Sequence, residues 1–312
     1  MPKLQNKRSL LAKIESSSNS DSSPTGSANY LEVIDLEIEP LSSDTVEQEV
    51  IRPFAGNFAT QLANTKVNIS FGCYLSGSGA AGTAPKMDAV LKSCGLAATV
   101  VSSTSVTYAP ATLASQDSCT IYCNYDGVLH KILGCKGSFT ISANVNEFPR
   151  IDFELQGIKS TITDTALPSI TKSNQADPLL FKDGNTSAFS LFGYSGALQS
   201  WELDFANEVV FRTLVGGTQE AIITDRKPTG TAVIEAVALS AHNFFTDAEG
   251  TSTGTNTWLH GTSAGNKVTV SLPQTNLGMP AYEDSDGITM LSLPFNALPT
   301  GSGNNEFSLL FT

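Results

Sequence analysis

The chain has 312 residues, of which 40% are hydrophobic and only 15% are charged. Its 30 acidic and 18 basic residues give a formal net charge of −12, which argues against a protein that holds nucleic acid by its phosphates. No apolar run is long enough to span a membrane, and residues 1–14 lack the apolar block of a secretory signal, so we expect a protein that stays where it is made.

The first 29 residues combine a short basic segment with a tract of serines at 16–24. Such a tract cannot bury enough apolar surface to offset the entropy lost on ordering. The sequence therefore predicts a flexible N-terminal arm over residues 1–29.

From Leu31 onward the pattern changes to strict alternation, which is typical of half-buried strands. The segment 31–39 has an acidic polar face, and a second strand at 46–51 leads into the loop 52–58. The chain returns along 67–75, so we expect an antiparallel hairpin with a long tip. Short alternating runs follow at 105–108, 119–125, 128–135, 138–143 and 150–155.

One helix is predicted, over 85–94, with Pro85 in its first turn and Gly95 placed to end it. Its apolar residues recur at helical spacing, so one face should lie on a sheet. The first half is therefore expected to be a β-sandwich or open barrel with one flanking helix.

Five cysteines occur in the chain, an odd number. We interpret them as free thiols packed as small hydrophobic side chains rather than as a metal site or a disulfide framework. They are Cys73, Cys94, Cys119, Cys123 and Cys135.

The second half repeats the plan of the first in outline. The alternating strand at 201–205 corresponds to the one at 31–39, and 231–239 corresponds to 67–75. Glu49 and Glu147 are separated by 98 positions, as are Glu208 and Glu306. The segment 241–265 departs from this plan, because it contains no clear helix. The alternative to a repeat is that two unrelated β domains share alternation by chance.

The domain organisation expected from these patterns has four parts. They are a flexible arm (1–29), a first β module (30–158), a connection (159–200) and a second β module (201–312).

Three short motifs resemble catalytic or ligand-binding signatures and are interpreted as turns. The segment 77–82 fits G-x-G-x-x-G but lacks the parallel unit and the following acid that a dinucleotide site needs. The segment 261–265 fits G-x-S-x-G, but no histidine follows Ser263. The segment 284–287 begins like a calcium loop and does not continue as one.

The three histidines, His130, His242 and His260, have no metal-binding spacing. With no nucleophile paired to a base, the sequence predicts no enzyme, no catalytic residue, no metal and no cofactor.

The order of several turn and strand motifs resembles the major tail tube proteins of long, flexible-tailed bacteriophages. The similar segments are 7–13, the hairpin entry 49–53, the turn 76–85, the segment 126–131 and the segment 223–230. The resemblance implies two tandem tail-tube-like β-sandwich modules in a mainly β protein. It also implies a structural subunit of a phage tail tube, in which stacked rings form a channel for DNA passage.

In that family, rings of subunits place their inner strands side by side in one barrel. If a ring has six tube modules and this chain carries two, three chains would close a pseudo-sixfold ring. We favour this trimer over a hexamer in which the second half is a decorating domain. The resemblance also implies tail tip, terminator and tape-measure proteins as partners.

The acidic strand faces suit a channel that DNA passes without specific binding, because acids in the lumen repel phosphates. The candidate lumen residues are Asp35, Glu37, Glu39, Glu202 and Asp204; the alternative is that they coat the outer surface for solubility. The candidate contacts between rings are Arg52, Phe54, Asn57, Phe58 and Arg226, although the tip aromatics could instead fold back on their own domain.

A carbohydrate- or receptor-binding β-sandwich module is the alternative function. It would favour clustered exposed aromatic residues, whereas Trp201 and Trp258 lie far apart in the sequence. We expect the protein in the virion tail, assembled in the bacterial host cytoplasm, without a membrane partner.

Overall fold

The structure is a computed structural model that describes residues 2–250 and 252–312. Within them, strands dominate and the three helices are short, so the mainly β class is confirmed. The strands of the first half are β1 (Arg8–Ile14), β2 (Tyr30–Leu31), β3 (Ile34–Glu47), β4 (Thr60–Tyr74), β5 (Leu96–Val101), β6 (Ser105–Pro110), β7 (Cys119–Tyr125), β8 (Val128–Asn144), β9 (Arg150–Lys159) and β10 (Thr163–Asp164).

The strands of the second half are β11 (Thr186–Leu191), β12 (Leu198–Asp204), β13 (Asn207–Arg212), β14 (Glu220–Arg226), β15 (Thr229–Glu235), β16 (Gly254–His260), β17 (Val268–Leu277), β18 (Ala281–Ser285), β19 (Ile288–Ala297) and β20 (Ser308–Phe311). The helices are α1 (Gly26–Asn29), α2 (Asp88–Ser93) and α3 (Phe244–Glu249). The flanking helix expected over 85–94 is confirmed as α2, which buries Val90 and Leu91.

One antiparallel sheet, the central sheet, runs through both halves of the molecule. Its strand order is β3, β4, β9, β8, β12, β15 and β19, and the eighth position is shared by the end of β17 and by β18. The first four positions come from the first half and the last four from the second. The two halves are thus joined edge to edge by the β8–β12 pair.

A second layer covers one face of the central sheet. β8 and β17 enter it by their N-terminal halves, which pair with β7 and β16 respectively. In the first half the layer continues through β1 and is flanked by α2. In the second half it contains β11, β20 and the β5–β6 hairpin, which the first half contributes through the β6–β20 pair. This arrangement confirms the two β-sandwich modules.

The core lies between these layers and consists largely of aromatic and aliphatic side chains. Phe139 of the central sheet is stacked on Phe205, with ring centroids 4.6 Å apart. Trp201 of the central sheet meets Trp258 of the outer layer edge to face at 5.4 Å. Such aromatic pairs add to the stabilisation from area burial, and the core is continuous through both modules.

The second module contains a helix that the sequence pattern does not predict. α3 follows β15 as α2 follows β4, so it occupies the same place in the chain order of its module. The segment has too few turns to show apolar periodicity, and Asn243 caps it by accepting a hydrogen bond from the Thr246 amide. The expectation that 241–265 lacks a helix is therefore wrong.

The 98-residue spacing does not correspond to the repeat in the structure. Glu147 lies in the turn between β8 and β9, whereas Glu306 lies beyond β19, immediately before β20. Topology instead matches β9 with β19, since each pairs with the returning strand of its hairpin, β4 or β15. The repeat is a property of strand order, and the equal spacing of the glutamates is a coincidence.

The N-terminal residues differ from the flexible arm expected over 1–29. β1 pairs along its whole length with β7, and Leu10, Leu11 and Ala12 are buried. Because α1 and α2 contact β1 while it also lies in the outer layer, it is covered on both sides and its apolar residues form a run instead of alternating.

The serine tract is held by a buried carboxylate. The Glu15 side chain accepts hydrogen bonds from the hydroxyls of Ser118 and Thr120 and from the amides of Gly134 and Asn19, at 2.6–2.8 Å. This fully bonded glutamate fixes the chain that follows β1 against β7 and β8. A buried polar group of this kind is tolerated because donors surround it.

The connection expected at 159–200 contributes to the second module. β11 lies within it and pairs with β16 in the outer layer, in the place that β1 takes beside β7 in the first module. Phe181 is also buried and packs edge to face on Trp258 at 5.5 Å.

Two hairpins project beyond the central sheet. The distal parts of β3 and β4 form the first, and β13 with β14 forms the second. The Thr213 hydroxyl at the end of β13 donates to the Asn64 side chain of β4 at 2.9 Å, so the two hairpins lie side by side. Among the helices of the described residues, none is long and apolar enough to cross a membrane.

Candidate functional site

The side of the central sheet that faces away from the outer layer is a broad polar surface, here called the acidic face, and β13 packs against its β8–β9 part. Cross-strand register shows which residues share it. Glu37 lies opposite Ser70, which lies opposite Glu154, and Glu154 lies opposite Ser138 of β8. Thr140 lies two residues further along β8 and points to the same face. It lies opposite Asp204, which in turn lies opposite Thr229.

The adjacent row joins both modules as well. Ser142 lies between Arg150 on one side and Glu202 on the other, and Glu202 lies opposite Thr231. Glu37, Glu39, Glu202 and Asp204 therefore lie on one continuous face, although more than 160 positions separate the two pairs in the sequence.

Carboxylates outnumber cations on this face. The acids that register or contacts place there are Asp35, Glu37, Glu39, Asp152, Glu154, Glu202, Asp204, Glu235 and Glu283. The cations are Lys66, Lys136 and Arg150. Alternation predicts the acids of β3 and β12, whereas those of β9, β15 and β18 are recognised only once the strand order is known.

Arg150 neutralises part of this charge locally. Its guanidinium pairs with Asp152 on the same strand and, at 2.9 Å, with Asp35 at a bulge of β3. These hydrogen bonds, with Asp152 the larger contributor, raise the pKa of Arg150. Asp35 is thus an ion-paired residue, while Glu37, Glu202 and Asp204 are exposed and, among the residues that the structure describes, have no cation within salt-bridge distance.

Lys136 lies at the row of Glu39 and Gln156 and is buried. Burial lowers the pKa of its ammonium group, although nearby carboxylates act in the opposite direction. This lysine is therefore part of the packing beside the face, and its charge is not presented to solvent.

The central sheet ends in two open edges. Within the described residues, β3 pairs only with β4 and β18 pairs only with β19. Each edge carries exposed apolar side chains, among them Leu41 on β3 and Tyr282 on β18, with Met279 immediately before β18. Unpaired edges with apolar residues favour pairing with another chain.

The tip of the first hairpin brings together four of the five candidate contact residues. The Arg52 guanidinium lies over the Phe58 ring at 3.8 Å and 5.7 Å from the centroid of Phe54, and it approaches the Asn57 carbonyl at 3.5 Å. Phe54 remains 65% exposed. The cluster is held by cation–π contacts and leaves aromatic surface open to solvent.

Two other tip residues are more exposed than these and have no signal in the sequence pattern. Ile51 on the first tip and Val215 on the second are fully exposed. A β-branched apolar residue at the end of each projecting hairpin is a feature shared by both modules. Only the position of the tips, known from the structure, distinguishes them from the many other apolar residues.

Arg226 lies at the end of β14, away from the tips. Its side chain is only 10% exposed and pairs with Glu306, which is 5% exposed. It also donates to the carbonyl of Ala111 at 2.9 Å and to the side chain of Asn304. The guanidinium therefore links β14 to the segments before β7 and β20 within one chain.

The two glycine motifs pack against each other. The Gly79 amide donates to the Gly265 carbonyl at 2.9 Å, and a side chain on Gly77 would meet that same carbonyl at 2.1 Å. Glycine is needed at 77 because the backbones approach so closely. These turns join the modules, and the resemblance to a cofactor loop and to a nucleophile elbow is accounted for by packing.

The remaining polar motifs also have structural roles. Asp286 and Gly287 form the two-residue turn between β18 and β19, both with positive φ as the tight hairpin requires. The histidines are dispersed, with His242 paired to Asp247 at 2.7 Å and His260 hydrogen-bonded to Thr186 and Leu179. Among the described residues, no group of three or more metal-ligating side chains occurs.

All five cysteines are free and buried, which confirms their prediction as packed thiols. Burial raises the pKa of Cys123 to about 12. At such a pKa the reactive thiolate of Cys123 is scarce near neutral pH. Burial of all five side chains indicates that they serve packing.

A family model described as phage tail tube protein matches residues 5–297. No curated protein matches the chain significantly.

Proposed function

The chain belongs to the phage tail tube protein family, and on this premise we propose that it assembles into stacked rings whose common channel lets DNA pass. As a member of that family it is a structural component of the virion tail. We propose further that it assembles in the host cytoplasm and contacts tail tip, terminator and tape-measure proteins, as the resemblance implies.

The observation that carries the proposal is the central sheet with its two open edges. Each module contributes four strand positions to one uninterrupted sheet. Closing such a sheet into a barrel removes unpaired edges, and the barrel diameter grows with the number of strands. Three chains of eight positions would close a barrel of 24 strands.

The equal contribution of both modules favours the trimeric, pseudo-sixfold ring. In the hexamer that we considered as an alternative, the second half would decorate the tube from outside. That arrangement would leave β12, β15 and β19 outside the barrel, although they continue the same sheet in register.

The acidic face suits the wall of a DNA channel. If the face lines the bore, its exposed carboxylates repel the phosphates, so the duplex has no binding site along the wall. The residues that we propose for the lumen are Asp35, Glu37, Glu39, Glu202 and Asp204. The tips, with Phe54, Phe58, Ile51 and Val215, would then contact the next ring.

Negative-stain electron microscopy of the purified protein at increasing concentration tests this proposal. We expect rings or hollow rods, with six similar units in end-on views and a ring mass of three chains. Compact monomers at every concentration would contradict assembly, and a ring mass of six chains would contradict the trimer.

A further inference from the structure

The two modules place the same succession of strands in the central sheet. The order β3, β4, β9, β8 in the first corresponds to β12, β15, β19 and β17–β18 in the second. Inside the chain, the last position of the first module pairs with the first position of the second. The unpaired strand β18 therefore corresponds to β8, and the unpaired strand β3 corresponds to β12. Within the chain, β8 and β12 pair with each other.

A β-bulge fixes the correspondence at the first position. Register in the first hairpin shifts between Ile34 and Glu37, and in the second it shifts between Leu198 and Ser200. Matching the two bulges places Glu39 at the position of Glu202. Both residues are exposed carboxylates on the acidic face.

The hairpin turn fixes the correspondence at the last position. Ser142 is the last paired residue of β8 before the turn into β9, and Ser285 is the last paired residue of β18 before the turn into β19. The pairing is interrupted before each of them. In the first module the register of β8 with β9 shifts between Leu133 and Lys136, and in the second the partner of β19 changes from β17 to β18. Ser285 thus has the position of Ser142.

We infer that β3 of one copy pairs antiparallel with β18 of the next, with Glu39 opposite Ser285, as Glu202 lies opposite Ser142 within the chain. The inference rests on the proposed ring and specifies its contact. The partner of each open edge is a second copy of this chain.

Burial at the existing junction supports this pairing. Phe139 of β8 is buried among the rings of Phe153, Phe307 and Phe205, and Phe205 follows β12. Tyr282 has the corresponding place on β18 and is 64% exposed, and Met279 beside it is 87% exposed. Pairing with β3 of the next copy would cover part of this exposed apolar surface, with Ser42 at the position that Phe205 takes within the chain.

Charge favours this register over its neighbour. A shift by two residues keeps the same faces aligned but can place Glu39 directly opposite Glu283. Like charges in directly opposite positions of a sheet are destabilising. The inferred register places a carboxylate opposite a hydroxyl, as at Glu202 and Ser142.

Disulfide cross-linking of assembled tubes tests the register. In the double variant Glu39→Cys with Ser285→Cys, oxidation should link most chains into dimers and trimers on non-reducing gels, with nothing larger if three chains close the ring. The Ser142→Cys, Glu202→Cys variant is the internal control and should form its bond within one chain. In the Glu37→Cys, Glu283→Cys variant the cysteines would lie about 13 Å apart along the strands, too far for a disulfide.

Tubes of normal appearance that form no link between positions 39 and 285, while the internal control forms its bond, would overturn the register and leave the proposed function standing. Efficient linking of positions 37 and 283 would also overturn it. Failure of the unmodified protein to form rings or tubes would instead contradict the proposed function.

Hydrogen exchange of the unmodified protein provides a second measurement that requires no substitution. Amides of residues 39–43, apart from Pro40, and of residues 281–285 that face the open edges should exchange at least tenfold more slowly in tubes than in free subunits. Unchanged exchange in both segments of assembled tubes would contradict the edge pairing.

Discussion

The two modules agree in the central sheet and differ in the layer that covers it. Strand order, the first bulge and the projecting hairpin recur in both. The outer layer recurs only in part: β11 and β16 repeat β1 and β7, whereas the β5–β6 hairpin of the first module joins the second through β20, and β10, which corresponds to β20, has only two residues. Repetition is thus complete only in the surface that would have to make equivalent junctions around a ring.

The largest expected difference in stability is between truncation of Phe139 in the core and truncation of its counterpart Tyr282 at the open edge. Phe139→Ala removes a ring packed on Phe205, Phe153 and Phe307, and should lower the free energy of unfolding by about 4 kcal/mol. Tyr282→Ala should cost the free subunit less than about 1 kcal/mol, because the ring is mostly exposed. Urea unfolding of both variants measures the difference, and equal losses would refute the correspondence of a covered and an uncovered site.

The second largest difference in stability is expected between Glu306 and Glu147, which the 98-residue spacing would make equivalent. Glu306→Gln leaves the Arg226 guanidinium buried without its counter-ion and should destabilise the subunit by about 3 kcal/mol. Glu147→Gln alters an exposed turn residue and should change stability by less than about 0.5 kcal/mol. Similar losses in thermal and urea unfolding would show that the two residues are equivalent after all.

A smaller effect distinguishes the histidines of the two modules. Burial lowers the pKa of both His130 and His260, and His260 is almost fully buried. Because the folded pKa lies below the unfolded value, the neutral form contributes stability above pH about 6.5, and this contribution is lost as the pH falls toward the folded pKa. His260→Gln should flatten the decline of the urea midpoint below pH 6.5 more than His130→Gln does. Identical pH profiles for wild type and His260→Gln would contradict this assignment.

The smallest effect on the subunit is expected at the hairpin tips. Ile51→Asp and Val215→Asp replace fully exposed residues, so unfolding should be unchanged while stacking of rings into rods is lost. Val101→Asp alters an exposed valine of β5 and serves as the matched control. Microscopy counts rods and sedimentation measures assembly; normal rods from both tip variants would remove these residues from the ring contact.

The sequence predicts the β class, the helix α2 and the acidic strands because each depends on local periodicity. Alternation alone places Glu37 and Glu39 on one side of β3, and Glu202 and Asp204 on one side of β12. It does not predict β1, because a strand covered on both sides carries an apolar run without alternation.

Only the tertiary structure decides that the acidic strand faces form one surface. That relation requires the β8–β12 pair, which brings together residues about 60 positions apart by backbone hydrogen bonds that carry no side-chain signal. The same holds for the burial of Arg226 and for the contact between Gly79 and Gly265. Periodicity fixes which way a side chain points from its strand, whereas the neighbour of each strand is chosen by long-range pairing.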